Sequence, residues 1–181
     1  SRVEDVEREL EEEIDKHRKE VEDAKRRLDE LIRRHKEEVK KLKKKLDDLI
    51  EELERLARNG VDEKTIEEVV KRIREELEAI EERSRRVLKK IEDVIDELRK
   101  RSEEVVRRLE KLLKDVEREV DDERAKRSLD RVREKIEKSD RTAKDLLKKV
   151  EEEVRKSNER VKELLKRVKD AVDDLLRRRR K

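Results

Sequence analysis

His17 and His35 are the only two imidazoles of this chain, and they stand 18 residues apart. The blocks they open, HRKEVEDAKRRLDELIRR and HKEEVKKLKKKLDDLIEE, carry Val, Leu, Leu and Ile at matching positions. Serine recurs at the same interval, first as Ser84 and Ser102, then as Ser139 and Ser157. Histidine beside serine offers three kinds of chemistry. An imidazole can act as general base toward a hydroxyl nucleophile. It can ligate a metal, provided that two or three further ligands join it. It can also be satisfied inside a core, because a hydroxyl both donates and accepts hydrogen bonds.

Which of these applies depends on the elements that carry the residues. Of the 181 residues, 62% are charged and 30% hydrophobic, with no aromatic residue, Pro or Cys and a single Gly. High charge without aromatics would ordinarily point to disorder. Periodicity decides against it: Leu, Ile and Val recur at helical spacing almost from end to end. Glu, Lys, Arg and Leu are strong helix formers, and the composition is that of long helices or coiled coils. The net charge of +3 is the difference between 58 basic and 55 acidic residues mixed along every segment, so no large field of one sign is expected. No apolar run approaches the ~18 residues of a membrane span, and the N-terminus has no apolar signal core. The reading is a soluble chain with no address written in it, and without cysteine the redox compartment stays undetermined.

The strongest turn signal is RNGVDEKT, residues 58–65, where Asn59-Gly60 can end one helix and Asp62 can cap the next. Helix 1 then spans about 2–58 and helix 2 starts near 63. The seam of helix 1 runs through Val3, Val6, Leu10, Ile14, Val21, Ala24, Leu28, Leu31, Val39, Leu42, Leu46, Leu49, Leu53 and Leu56, with His17 and His35 filling its two gaps. A strict heptad forces a left-handed supercoil, whereas an 18-residue repeat averages 3.6 residues per turn and keeps a helix nearly straight. Helix 1 would be ~85 Å long, with its two histidines on one face ~27 Å apart.

One register aligns every polar block. A hairpin turning at Asn59-Gly60 pairs residue i with about 119 − i, so that His17 faces Ser102 and His35 faces Ser84. Leu28 then faces Ile91, Val21 faces Leu98, Leu46 faces Ile73 and Leu10 faces Leu109. Adding 122 to helix 1 positions reaches Ser139 and Ser157, and with them Val132, Ile136, Val161 and Val168. This implies helix 2 at about 63–119, a second reversal near 120 capped by Asp121 or Asp122, and helix 3 at about 122–180. The competing reading is one continuous helix from 63 to 181, and another is a loop not represented in the chain. Against the continuous helix, Ser102 and Ser139 are 37 residues apart, so the polar phase slips by about a third of a turn. The expected fold is a single all-α domain over 1–181, a long straight antiparallel three-helix bundle that is coiled-coil-like with an 18-residue repeat.

The two expected layers are His17–Ser102–Ser139 and His35–Ser84–Ser157, with Asn158 and Thr142 near enough to join. A buried polar group left unpaired costs ~1–3 kcal/mol, so six such residues in two aligned layers read as hydrogen-bond networks that set register. Catalysis would also need an orienting carboxylate, an oxyanion hole and a pocket. A metal would need more than one His and two Ser. No catalytic, metal or cofactor-binding residue is therefore assigned. The C-terminal RRRRK, residues 177–181, reads as cations complementing a helix end rather than a nucleic-acid contact, since no aromatics are interleaved to stack bases. Adjacent apolar pairs such as Val69-Val70 and Leu164-Leu165 widen the stripe, which suits either a three-helix core or a seam that accepts a further helix.

These blocks, the Glu/Lys/Arg surface and the single His or Ser set into Leu/Ile/Val seams resemble de novo designed helical bundles with modular buried hydrogen-bond networks. The resemblance implies a structural scaffold with no natural substrate, not an enzyme. Members of that class with buried His are sometimes pH-responsive assemblies, and others pair helices between chains, so a homo-oligomer or a designed helical partner is the alternative. The nearest natural analogue, a spectrin-like bundle, usually carries core aromatics, and this chain has none.

Overall fold

The computed structural model describes residues 2–179. It contains α1 (Arg2–Arg58), α2 (Glu63–Glu117) and α3 (Glu123–Arg179), joined by two short reversals, with no strand among the described residues. Arg180 and Lys181, the end of the basic run and of the expected third helix, lie outside the described residues. Within that run Arg177 lies 3.7 Å from Asp174 one turn back.

The first reversal follows from its sequence. The Val61 N–H donates to the Leu56 carbonyl at 3.5 Å across Gly60, whose φ is +63°. This is the Schellman arrangement, and both Val61 and Leu56 pack against the same core cluster. The Asp62 carboxylate then accepts from the Thr65 N–H at 3.1 Å, and its carbonyl accepts from Ile66 at 3.2 Å, which makes Asp62 the cap of α2. A Cβ at Gly60 would meet nothing within 4 Å, so Gly60→Ala should cost only the conformational penalty, ~1–2 kcal/mol. Asp62→Ala should cost ~0.5–2 kcal/mol through the lost cap. Denaturant unfolding of the two variants checks both figures.

The second reversal has no glycine and no residue at positive φ. Helix α2 stops at Glu117, two residues before the position expected from sequence. Its last turn tightens there: Glu119 donates to Val116 at 3.0 Å and Val120 to Glu117 at 3.4 Å. Val120 is buried and pins the connection to the core. Asp122, rather than Asp121, is the cap, with its carboxylate accepting from Arg124 N–H and its carbonyl from Lys126 N–H.

The chain packs as two compact units, each built from one segment of every helix. The first comprises residues 1–30 and 91–152, and the second 31–90 and 153–181. In the first, Leu10, Leu109 and Val132 share one core cluster; in the second, Leu46, Ile73 and Val168 share another. All six have at most 2% of their surface exposed. Within each unit α2 runs antiparallel to α1 and α3 parallel to it. Surface ion pairs follow the same register: Arg108 to Glu13 and Lys135 to Glu11 in the first unit, Lys45 to Glu76 and Lys169 to Glu81 in the second. Exposed pairs of this kind contribute ~0–1 kcal/mol each, so burial rather than charge carries the stability. Six seam positions of α1, Val3, Val6, Ala24, Leu31, Leu49 and Leu56, are half-buried rather than buried, and at Leu31 the neighbouring Ile32 is buried in its place. A core shared by three helices takes a broader stripe than a single line of contacts, so the second residue of an apolar pair can become the inner one.

Candidate functional site

Each unit holds one polar layer. His17 projects from α1 between Ile14 and Val21, all three buried. Its Nε2 lies 3.0 Å from Ser102 Oγ on α2, and its Nδ1 lies 2.8 Å from Ser139 Oγ on α3. His35 repeats the arrangement, with Nε2 3.4 Å from Ser84 Oγ and Nδ1 2.6 Å from Ser157 Oγ. The rings are buried to 2% and 3% exposure. Ser102 is also buried, whereas Ser84, Ser139 and Ser157 are half-buried.

Both ring nitrogens are thus engaged. A neutral imidazole donates to one serine and accepts from the other. A protonated ring donates to both, and each hydroxyl can then turn its own proton toward the carbonyl four residues back. The hydrogen bonds tolerate either protonation state. Burial does not: it penalises the charged ring and holds both histidines below their ordinary value of 6.5.

Carboxylates pull in the opposite direction, and the sequence reading missed them. Glu20 and Asp140 raise His17, and Glu38 raises His35, in each case less than burial lowers it. Glu20 and Glu38 are three residues beyond their histidines, a helical-neighbour spacing that was available from sequence. Asp140 adjoins Ser139. Their pull is partly spent elsewhere: Glu20 holds Arg101 at 2.8 Å, and Asp140 holds Lys144 at 2.9 Å.

The expected outer members do not join. Thr142 is exposed, and its hydroxyl donates to the Lys138 carbonyl of its own helix at 2.9 Å. It lies on the exposed flank of the α3 face, where bonding back to its own helix satisfies the hydroxyl. Asn158 is half-buried and makes no hydrogen bond to the layer. The layer is complete without it, since both nitrogens of His35 are already paired.

A scan against protein-family models finds no match to the chain, and no curated protein matches it. A solved structure described as a "Computationally designed three helix bundle" is 24% identical, covers 97% of this chain and 83% of its own, and superposes with a TM-score of 0.44. At that level the architecture of this chain rests on its own helices and layers.

Within the second unit the layer position recurs once more. Eighteen residues beyond His35 is Leu53, 18 before Ser84 is Ile66, and 18 after Ser157 is Leu175. All three belong to one hydrophobic cluster, with Leu53 and Ile66 buried and Leu175 packed against them. The same geometric position accommodates Ser–His–Ser or an all-aliphatic set. Among the described residues no group of three or more His, Cys, Asp or Glu could hold a metal ion, and no helix is long and apolar enough to cross a membrane.

Proposed function

We propose that this chain is a designed structural scaffold in which two His/Ser layers specify helix register, with no substrate, cofactor or nucleic-acid partner. The observation that carries the reading is the third copy of the layer position, where Leu53, Ile66 and Leu175 stand for His35, Ser84 and Ser157. A set of side chains that hydrocarbon can replace at an equivalent position is acting through packing and pairing. Catalysis is disfavoured by the same geometry. Both imidazole nitrogens are bonded to serine, which leaves none for an orienting carboxylate. The layers also lie deep within helices, whose backbone N–H groups are already bonded four residues back and offer no oxyanion donors.

Sets of polar groups that satisfy one another in a single alignment penalise every other alignment, as a buried Asn does in a coiled coil. Slipping one helix by a turn would set an imidazole against Leu or Val and orphan its partners, at ~1–3 kcal/mol for each unpaired group. The alternative role, a seam that accepts a partner helix, rested on the adjacent apolar pairs. Val69, Val70, Leu164 and Leu165 are buried within their own unit, Leu88 and Leu147 are buried beside half-buried Val87 and Leu146, Val105 and Val106 are half-buried, and no large hydrophobic side chain is exposed among the described residues. This favours a self-contained chain. Light scattering across a hundredfold concentration range is the test. The expected mass is that of one chain, 22.2 kDa, at every concentration. A mass that climbs to a multiple would replace the scaffold reading with self-assembly.

A further inference from the structure

Both histidines line a surface cavity, and the two cavities differ in chemistry. The groove beside His17, about 740 Å³, is walled by four carboxylates and four cations, with Val105 its one apolar side chain. Two ion pairs cross the opening, Arg101 with Glu20 and Arg108 with Glu13. The cavity beside His35, about 270 Å³, has an apolar floor of Val39, Leu42, Ile80 and Val161. Its rim carries Lys41, Lys45 and Arg83 against the single carboxylate Glu38.

Three lining residues correspond across the repeat: His35, Glu38 and Arg83 match His17, Glu20 and Arg101. Arg83 and Glu38 occupy the places that Arg101 and Glu20 hold one 18-residue repeat away. Arg101 and Glu20 form an ion pair, whereas Arg83 and Lys41 make none among the described residues, and Lys45 reaches Glu76 only at 3.6 Å. The His35 to Ser84 bond that borders this cavity is also the longest of the four layer bonds, and Ser84 is half-buried where Ser102 is buried. The second unit therefore has an opening with a hydrocarbon base and surplus positive charge at its lip.

We propose that this cavity binds a small apolar monocarboxylate. The hydrocarbon body would lie on Val39, Leu42, Ile80 and Val161, and the carboxylate would take the two-pronged guanidinium of Arg83, with Lys41 and Lys45 adding charge. The volume is below the ~300–1,000 Å³ typical of drug-sized sites, which limits the ligand to one ring or a short chain. A neutral ligand leaves the rim cations unmatched, and a small hydrophilic anion leaves the floor wet, so both features are required.

The experiment is an amide NMR titration of the intact chain with sodium benzoate, run in parallel with benzamide, which lacks the charge, and acetate, which lacks the body. Benzoate should give saturable shifts at Val39, Ile80 and Val161, with the residues around His17 as an internal control. Benzamide and acetate should bind at least about tenfold more weakly, and Arg83→Glu should weaken benzoate by at least about tenfold with helical content unchanged. Lys41→Glu supplies a second exposed charge reversal should the first perturb folding. Non-saturating shifts, equal shifts around His17, or benzoate affinity indifferent to both reversals would overturn the site.

Discussion

Replacing His17, Ser102 and Ser139 together by Leu, Ile and Leu should stabilise the protein by about 2–4 kcal/mol. The substitution copies the Leu53, Ile66 and Leu175 layer, so its shape is already known to suit three helices in this register. The gain follows from burying aliphatic side chains, ~1.5–3 kcal/mol each when complete, less the ~0.5–1.5 kcal/mol net worth of each hydrogen bond removed and some misfit at a half-exposed site. Single changes should behave oppositely and unequally. Ser102→Ala removes the partner of a buried ring nitrogen and should cost ~1–3 kcal/mol. His17→Leu strands two hydroxyls, each of which can bond to its own helix, and should cost less. Denaturant unfolding of the three variants measures all of this. If the triple variant is less stable than Ser102→Ala, the layer contributes net stability rather than register, and the scaffold argument fails at its centre.

Acidification should destabilise the parent more than a variant carrying His17→Leu and His35→Leu. Burial holds both rings below 6.5 in the folded chain, so between the folded and unfolded values the unfolded chain carries protons that the folded chain refuses. Stability is therefore full above about pH 6.5, falls as pH drops below it, and stops falling from this cause once pH lies below the folded values. Each unit of depression corresponds to ~1.4 kcal/mol per ring. The groups facing each ring set the detail. His17 meets Glu20 from α1 and Asp140 from α3, with Arg101 and Lys144 bound to those carboxylates. His35 meets Glu38, beside the cationic rim of its cavity. Unfolding of parent and variant at pH 7.5 and pH 4.5 isolates the imidazoles, because the remaining carboxylates titrate alike in both proteins. Equal losses on acidification would mean that burial does not govern these rings.

Much of the layer geometry is legible in the sequence, because an 18-residue repeat is five whole turns and leaves no angular ambiguity. Once Asn59-Gly60 was read as a reversal, the positions of Ser84, Ser102, Ser139 and Ser157 against the histidines followed from counting. The second reversal was less legible. It has no Gly, Asn or Pro, only the Asp121-Asp122 capping signal, and its closure also depends on Val120 finding the core and on a tightened last turn of α2. Neither leaves a local signature. Thr142 lies three residues beyond Ser139, close enough on the helix surface to be counted with the layer, but it sits on the exposed flank of that face and its hydroxyl bonds to the Lys138 carbonyl instead.

The sequence by itself determined that the chain is helical, where its apolar stripes run, and which polar residues share a level. Those properties depend on side-chain type and on rotation about each helix's own axis, both of which are written locally. Only the tertiary structure decided that Ile32 is the inner member of its pair, that Asp140 of α3 attends His17, and that Arg101 is paired while Arg83 is not. Long charged side chains choose among many rotamers of similar energy, and the choice is made by whatever the neighbouring helices bring within reach. Equivalent positions in a repeat can thus carry the same residue types and still pair differently, as Glu20 and Arg101 form an ion pair and Glu38 and Arg83 do not.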